Sequence, residues 1–441
     1  MTRLIISPDY ASHIYPLAAL GTSWLEAGEK VVVATGDATA GIVKSFGFEH
    51  VPLKLSRGSN PGVIRAEDQP QGEDDALRGF FAATRSGMIE TLSFQAEARM
   101  NDLMWEPVAT ARAVQEIIET VDPQTIIVDH LAFSARLGLV AAGREHIDVV
   151  LGHPTALPLP AAEEVYGLPP TWPAAFSPTA QEVQELRNLC LRVADSFTAE
   201  WNAALAVLAP HLPPSSDAFA EHGDMLVFNY PGELVGADRS EQLPPHVFMG
   251  SSVRSEPTEA HIEKWISSSD EPFIYVSFGS FLSVRGDVLN KVVTALKEMG
   301  LRAAVAYGSA GRGSLGQLPE HWLVGEFLPQ VTLLGSAAAA VTHGGNNSVT
   351  ESLTFGVPTV VLPFSTDQFA GAAALESIGF GTALAPNTAT VEELQTALAA
   401  MLDLPEQTRN ELHELGKSLR EGSGPSRLRS MLNTSPGLPP E

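Results

Sequence analysis

The run His343-Gly344-Gly345-Asn346-Asn347-Ser348-Val349-Thr350-Glu351 follows an alanine-rich stretch with β character and precedes a helix-like segment. Two adjacent glycines let backbone N–H groups approach a ligand closely. A helix start just beyond them offers unbonded N–H donors and the positive end of the helix dipole, which suits phosphate. Ser348 adds a hydroxyl and His343 a ring N–H. A plain tight turn capped by Ser or Asn has the same local pattern, so the surroundings decide between the two. Upstream stands Phe327-Leu328-Pro329-Gln330. Downstream stand Gly356-Val357-Pro358 and Pro363-Phe364-Ser365-Thr366-Asp367-Gln368.

A second set of reactive types lies near the start. His13 follows the first apolar run, Leu4 to Ile6, and Asp129 closes another, Ile126 to Val128. A histidine can take a proton from a hydroxyl, and a carboxylate can fix its tautomer and stabilise the imidazolium. Each residue also has a structural reading: a packed histidine, and a cap for a helix starting at Leu131. His130 points away from Asp129 if the backbone there is extended. His153, before Pro154, sits where a loop could touch a ligand. No Asp-x-Asp metal motif occurs, and the acidic run Glu73-Asp74-Asp75 reads as a solvated loop.

The block from Phe327 to Gln368 resembles the nucleotide-sugar signature of the family 1 glycosyltransferases. In plant members that signature runs roughly W-x-P-Q, T-H-C-G-W-N-S-x-x-E-S, G-V-P, P and D-Q. Here it stands as Phe327-x-Pro329-Gln330, Thr342-His343-Gly344-Gly345-Asn346-Asn347-Ser348-x-x-Glu351-Ser352, Gly356-Val357-Pro358, Pro363 and Asp367-Gln368. Phe273 to Ser280 is similar to the first strand of the family's C-terminal domain. Ser12-His13-Ile14-Tyr15-Pro16 is similar to its G-H-x-x-P turn, and Ile126 to Asp129 to the strand that ends in aspartate.

The resemblance implies an α/β protein of the GT-B fold, with two Rossmann-like domains facing each other across a deep cleft. It implies a metal-independent inverting transferase that uses a nucleotide-sugar as co-substrate and holds no cofactor. By the same resemblance Phe327 stacks on the pyrimidine, where its ring keeps a π-face but lacks the indole N–H. Gln330 belongs to the donor site. Glu351 bonds the ribose. His343, Ser348, Ser280 and the N–H groups of residues 344–348, Gly344, Gly345 and Asn347 among them, contact the diphosphate. Asp367 and Gln368 bind the sugar. His13 is the general base and Asp129 orients it. Phe80, Phe81, Met88 and Phe94 read first as core, and with His153 they are the acceptor-side candidates.

Several positions depart from the pattern. Gly344 and Asn346 replace Cys and Trp, and Ser336 stands where many relatives have histidine. The Gly-Gly pair is common in bacterial relatives that decorate secondary metabolites. A bacterial natural-product enzyme is therefore expected, with a small, largely apolar acceptor and either UDP or dTDP. Two other classes fit the sequence less well. A dinucleotide oxidoreductase needs G-x-G-x-x-G after the first strand, and Ser7 to Pro16 contains no glycine. A catalytically silent partner protein would lack the base or its orienter, and both are present.

The elements that must position these residues follow an α/β rhythm. Residues 1–230 form the expected acceptor-binding domain and 231–262 an aperiodic linker. Residues 263–420 form the nucleotide-sugar domain, and 421–441 an irregular tail. Residues 57–105 read as a loop followed by helices, and the Pro-rich 151–180 as an irregular loop. The chain has 441 residues, with 27 basic and 52 acidic side chains and a net charge of −25. That charge disfavours nucleic acid and anionic membranes as partners. With Cys190 alone there is no intrachain disulfide, and a cytoplasmic setting is expected. No apolar run is long enough to span a membrane.

Overall fold

Runs such as Leu4-Ile5-Ile6, Val31-Val32-Val33 and Ala303-Ala304-Val305 are apolar at every position rather than at alternate ones. That pattern suits parallel strands covered on both faces. In the computed structural model, which describes residues 1–56, 73–100, 103–254, 256, 258–282, 284–422 and 424–434, they lie in two wholly parallel sheets. The first contains β1 (Thr2–Ile6), β2 (Lys30–Thr35), β3 (Glu49–Pro52), β4 (Thr125–Asp129), β5 (Ile147–Val150), β6 (Met225–Phe228) and β7 (His246–Phe248). Its order is β3-β2-β1-β4-β5-β6-β7. The second contains β8 (Phe273–Ser277), β9 (Arg302–Ala306), β10 (Leu323–Gly325), β11 (Ala339–Thr342), β12 (Thr359–Val361) and β13 (Gly381–Ala383). Its order is β10-β9-β8-β11-β12-β13.

Each order reverses direction once, between β1 and β4 and between β8 and β11. At such a point the loops leave in opposite directions and open a crevice at the strand carboxyl ends. His13 follows β1 and Asp129 ends β4, with Ile6 paired to Val128. His343 follows β11 and Gly279 lies just past β8, with Thr342 paired to Ser277. Both reactive sets thus sit at the two places where this topology makes room for ligands.

Three expectations need correction. β7 lies within 231–262, so the first sheet runs into the stretch expected to be linker. Glu73-Asp74-Asp75 open the helix Glu73–Ser86 rather than a loop. The tail is not irregular throughout: Gly424–Thr434 is helical, and its Leu428 is buried beside Leu17, Leu20 and Trp24 of the helix Ala11–Leu25. The chain therefore ends its described course back on the first domain.

The helix Glu73–Ser86 docks on the second domain. Phe80 and Phe81 join the core cluster around β8 and β9. Its last carbonyls are capped from that domain: Arg285 donates to Thr84 at 3.0 Å, and Asn387 donates to Thr84 and Arg85 at 3.0 and 3.1 Å. These are carbonyls a helix end leaves unbonded, and a cation there also complements the dipole.

Candidate active site

A cleft of about 2070 Å³ lies between the sheets, lined from both domains. On the first domain's side, the helix Ala11–Leu25 starts four residues after β1 and carries His13 in its first turn. His13 Nδ1 lies 2.6 Å from Asp129 Oδ2, and the other carboxylate oxygen accepts from the Leu131 N–H at 2.9 Å. Asp129 thus holds both the His13 ring and the turn at Leu131, but it does not cap a helix: the next helix begins at Phe133, with Ala132 as its N-cap and no side-chain cap bond. With Nδ1–H given to Asp129, the Nε2 lone pair of a neutral ring is left over. His13 lines the cleft, while Asp129 is buried behind it. Burial works against the imidazolium. The charge and hydrogen bond of Asp129, helped by the charge of Asp367, outweigh it and raise the His13 pKa above its ordinary 6.5.

On the opposite side, Gly344 has φ +83°, and a Cβ there would stand 2.6 Å from Val361 Cγ1. A Cβ on Gly345 would stand 2.5 Å from His343 Nε2. Only glycine allows this turn and leaves the imidazole in place. The helix Asn346–Phe355 then begins with no side chain capping its first N–H groups. His343, Gly345, Asn347 and Ser348 line the cleft; Gly344 does not. Burial, opposed by Asp367, lowers the His343 pKa to about 4. The ring is neutral at pH 7 and can donate an N–H. The side chain of Ser280 lies outside the described residues.

Phe327 lines the cleft with an exposed ring, and Gln330 lies beside it. Glu351 departs from the expectation. It does not line the cleft, and its oxygens accept from Arg254 Nη1 at 3.0 Å and Gln330 Nε2 at 2.6 Å. Burial raises its pKa, against the pull of Arg254. Arg254 and Gln330, not the carboxylate they hold, present polar groups to the cleft. Arg254 also pairs with Glu256 at 2.6 Å and lies over the Tyr15 ring. Sequence reasoning missed it, because a single arginine in an aperiodic segment carries no spacing signal.

Asp367 and Gln368 both line the cleft. The Gln368 amide oxygen accepts from the N–H groups of Phe364 and Ser365, at 2.9 and 3.2 Å, and so holds the loop. Asp367 accepts from the His153 backbone N–H at 2.6 Å, across the domains, and from the Thr366 hydroxyl at 3.0 Å. Thr366 has φ 51°, a strained value for a β-branched residue.

Among the acceptor-side residues, Phe80 and Phe94 line the cleft, whereas Phe81, Met88 and His153 do not. Phe81 packs into the second domain's core, and Met88 packs against the cluster around Phe133 and Phe197. The His153 ring turns to Thr155 and the edge of Tyr230. His130 lies in the turn after β4 rather than in extended backbone, and its Nδ1 is 3.1 Å from buried Asp148.

A family model described as UDP-glucoronosyl and UDP-glucosyl transferase matches residues 228–415, from β6 through the second domain. An uncharacterized UDP-glucosyltransferase of Bacillus subtilis is 30% identical over 178 residues, which is 40% of this chain and only 44% of that protein. The demethyllactenocin mycarosyltransferase of Streptomyces fradiae is 25% identical over 428 residues, 94% of this chain and 82% of that one. The solved structure of spinosyn forosaminyltransferase superposes with a TM-score of 0.67 at 18% identity and covers 98% of both chains. Two parallel α/β domains, the signature turn at the second switch point and these likenesses converge: the chain has the GT-B fold, and from residue 228 to 415 it matches the UDP-glucoronosyl and UDP-glucosyl transferase model.

Proposed function

We propose that this protein transfers a sugar from a nucleoside-diphosphate sugar, UDP- or dTDP-linked, to a hydroxyl of a small and largely apolar natural-product acceptor. The observation that carries the reading is the opposition of two sets across one cleft. His13, held by Asp129, faces it from one domain, and the uncapped helix start at Asn346 faces it from the other. The name of the Streptomyces relative supports a small-molecule acceptor.

The chemistry has two demands. The acceptor hydroxyl must lose its proton as oxygen attacks the anomeric carbon, and His13 takes that proton at Nε2. The imidazolium formed is stabilised by the Asp129 carboxylate. The departing diphosphate must be stabilised as its charge grows. The N–H groups of residues 346–348, the helix dipole and the neutral His343 ring act there, in a fixed arrangement that need not reorganise. Base and leaving group on opposite sides of the sugar give inversion. No metal is called upon, because the helix start does the work an Asp-x-Asp-bound ion would do elsewhere.

The test is a thermal-shift titration with UDP and dTDP, followed by transfer assays with sugars of the better nucleotide. Stabilisation by one of them and acceptor-dependent release of nucleoside diphosphate are expected. No stabilisation by either, together with no turnover of any donor, overturns the reading.

A further inference from the structure

Arg99 ends the helix Met88–Arg99 and lines the cleft, as Phe80, Phe94 and Leu131 do. Its guanidinium lies 5.1 Å above the Tyr166 ring. Among the described residues no carboxylate pairs with it. The other arginine of the cleft, Arg254, is held by two carboxylates. In a chain with 52 acidic and 27 basic side chains, an arginine left without a counter-ion in a cleft is unusual.

The position is also shaped for the cation. Gly167, with φ +87°, follows Tyr166, and a Cβ there would stand 2.9 Å from Arg99 Nη1. Tyr166 and Arg99 line the same cleft as His13 and Asp367. A half-buried guanidinium that has an aromatic face but no counter-ion regains only part of the hydration it loses. An anion of the ligand would supply the rest, and the planar fork of arginine matches a carboxylate with two parallel hydrogen bonds.

We infer that the acceptor is an apolar molecule bearing a carboxylate, which Arg99 pairs with while the reacting hydroxyl meets His13. This rests on the transfer reading above and narrows its acceptor class. The diphosphate is the other anion in the reaction. Its site is assigned to the helix start of the opposite domain, so Arg99 acts on acceptor and not on donor.

The experiment uses the full chain and a matched pair of probes, a hydroxynaphthoic acid and its methyl ester. Transfer rates come from the better donor, and binding to the nucleoside-diphosphate-loaded enzyme is measured by calorimetry. The wild type should favour the acid in kcat/KM by roughly ten- to a hundred-fold, the range of hydrogen bonds to charged groups. Arg99→Met keeps the aliphatic stem over Tyr166 and should bring the two rates together. Arg99→Lys should keep part of the preference. Rising salt should shrink it in the wild type. Equal use of acid and ester by the wild type overturns the inference and leaves the transferase reading intact. So does binding of neither probe by an enzyme that still hydrolyses the donor. A loss of nucleoside-diphosphate affinity in Arg99→Met moves the residue to the donor site and also overturns it. Absence of any donor turnover by the wild type is the separate failure of the transferase reading.

Discussion

The side-chain amide of Asn347 donates to the backbone carbonyl of Ser12 at 2.9 Å, from the start of the second domain's signature helix to the residue before His13. The local sequence explains why that carbonyl is free. In a helix the carbonyl of residue 12 accepts from the N–H of residue 16, and residue 16 is a proline with no N–H. The proline of the His13-Ile14-Tyr15-Pro16 turn thus leaves an acceptor that the other domain occupies. Asn346 adds two more bonds across the gap, to the carbonyls of Leu151 and Asn229 at 2.7 and 3.0 Å.

Asn347→Ala should therefore lower turnover more than nucleotide binding. It removes one neutral hydrogen bond that sets base and phosphate site relative to each other, so a loss of about two- to ten-fold in kcat is expected. Pro16→Ala should act in the same direction, because its restored N–H competes for the Ser12 carbonyl. Steady-state kinetics beside nucleotide titration reads the difference. A loss of nucleotide affinity equal to the loss in kcat would place Asn347 on the donor instead.

His13→Ala should reduce transfer to an alcohol by about 10²- to 10⁴-fold, with nucleotide affinity unchanged. A phenol, ionised at high pH, should partly rescue it. The pH profile carries more information. Only neutral His13 can accept a proton, and its pKa is raised. The acid-side limb of kcat/KM should therefore lie above pH 6.5. Asp129→Asn removes the charge that raises it, so the limb should move to lower pH while kcat falls less than in His13→Ala. An unmoved limb would show that another group titrates.

His343→Ala should weaken binding of the nucleoside diphosphate by roughly ten- to two-hundred-fold, the worth of a hydrogen bond to a charged group. Gly345→Ala should do similar damage, since the new methyl displaces the His343 ring. Calorimetry on both variants checks this. Unchanged affinity would take His343 out of the diphosphate site.

Turnover should survive exhaustive chelation. The proposed stabilisation of the leaving group comes from N–H donors and a dipole, and among the described residues no cluster of three His, Cys, Asp or Glu side chains is placed to hold an ion. Loss of activity on chelation, restored by magnesium, would replace this account.

The site's reach in the sequence depended on how local each part was. The turn at 343–348 is contiguous, and its two glycines report a backbone need directly, so it was legible. His13 and Asp129 are 116 residues apart, but Asp129 ends a recognisable strand and His13 lies in the first turn of the helix after the adjacent one, which brings them together. The partners of Glu351 were not legible. Arg254 is 97 residues upstream in a segment with no periodicity, and nothing in its neighbours marks it. The same lack of period concealed β7. The last helix was missed because Ser, Pro and Gly at 422–426 look like breakers, although the apolar Leu428 beyond them is what docks it. For His153 and Phe81 the residue types suited a pocket, but side-chain direction, which spacing alone does not give in irregular or doubly covered segments, took them elsewhere.

Acid should unfold this protein earlier than its carboxylates alone would require. His343 and His153 are held near pKa 4, mainly by burial, and His130 is lowered by burial and by Arg136. A histidine with a depressed folded pKa contributes stability above about pH 6.5, its unfolded value, and loses it as pH falls toward the folded one. His343 and His153 therefore act together from pH 6.5 down to about 4, and His130 adds to the loss as pH falls below 6.5. His13 has the opposite sign: its stabilisation is full below 6.5 and fades above its raised pKa, so it is constant over the acid window and leaves the slope there unchanged. Asp148 extends the acid limb. Arg136, at 2.9 Å, with His130 and His146 holds its carboxyl below the usual range against the effect of burial, so its share is lost only at still lower pH. Thermal melts of the wild type should show Tm falling steadily below pH 6.5, and His130→Gln should flatten that slope. Asp148→Asn should cost about 3–5 kcal/mol at neutral pH, because it leaves the buried Arg136 without its counter-ion. A wild-type Tm that stays level from pH 6.5 to 4.5 would contradict the burial of neutral histidines on which this balance rests.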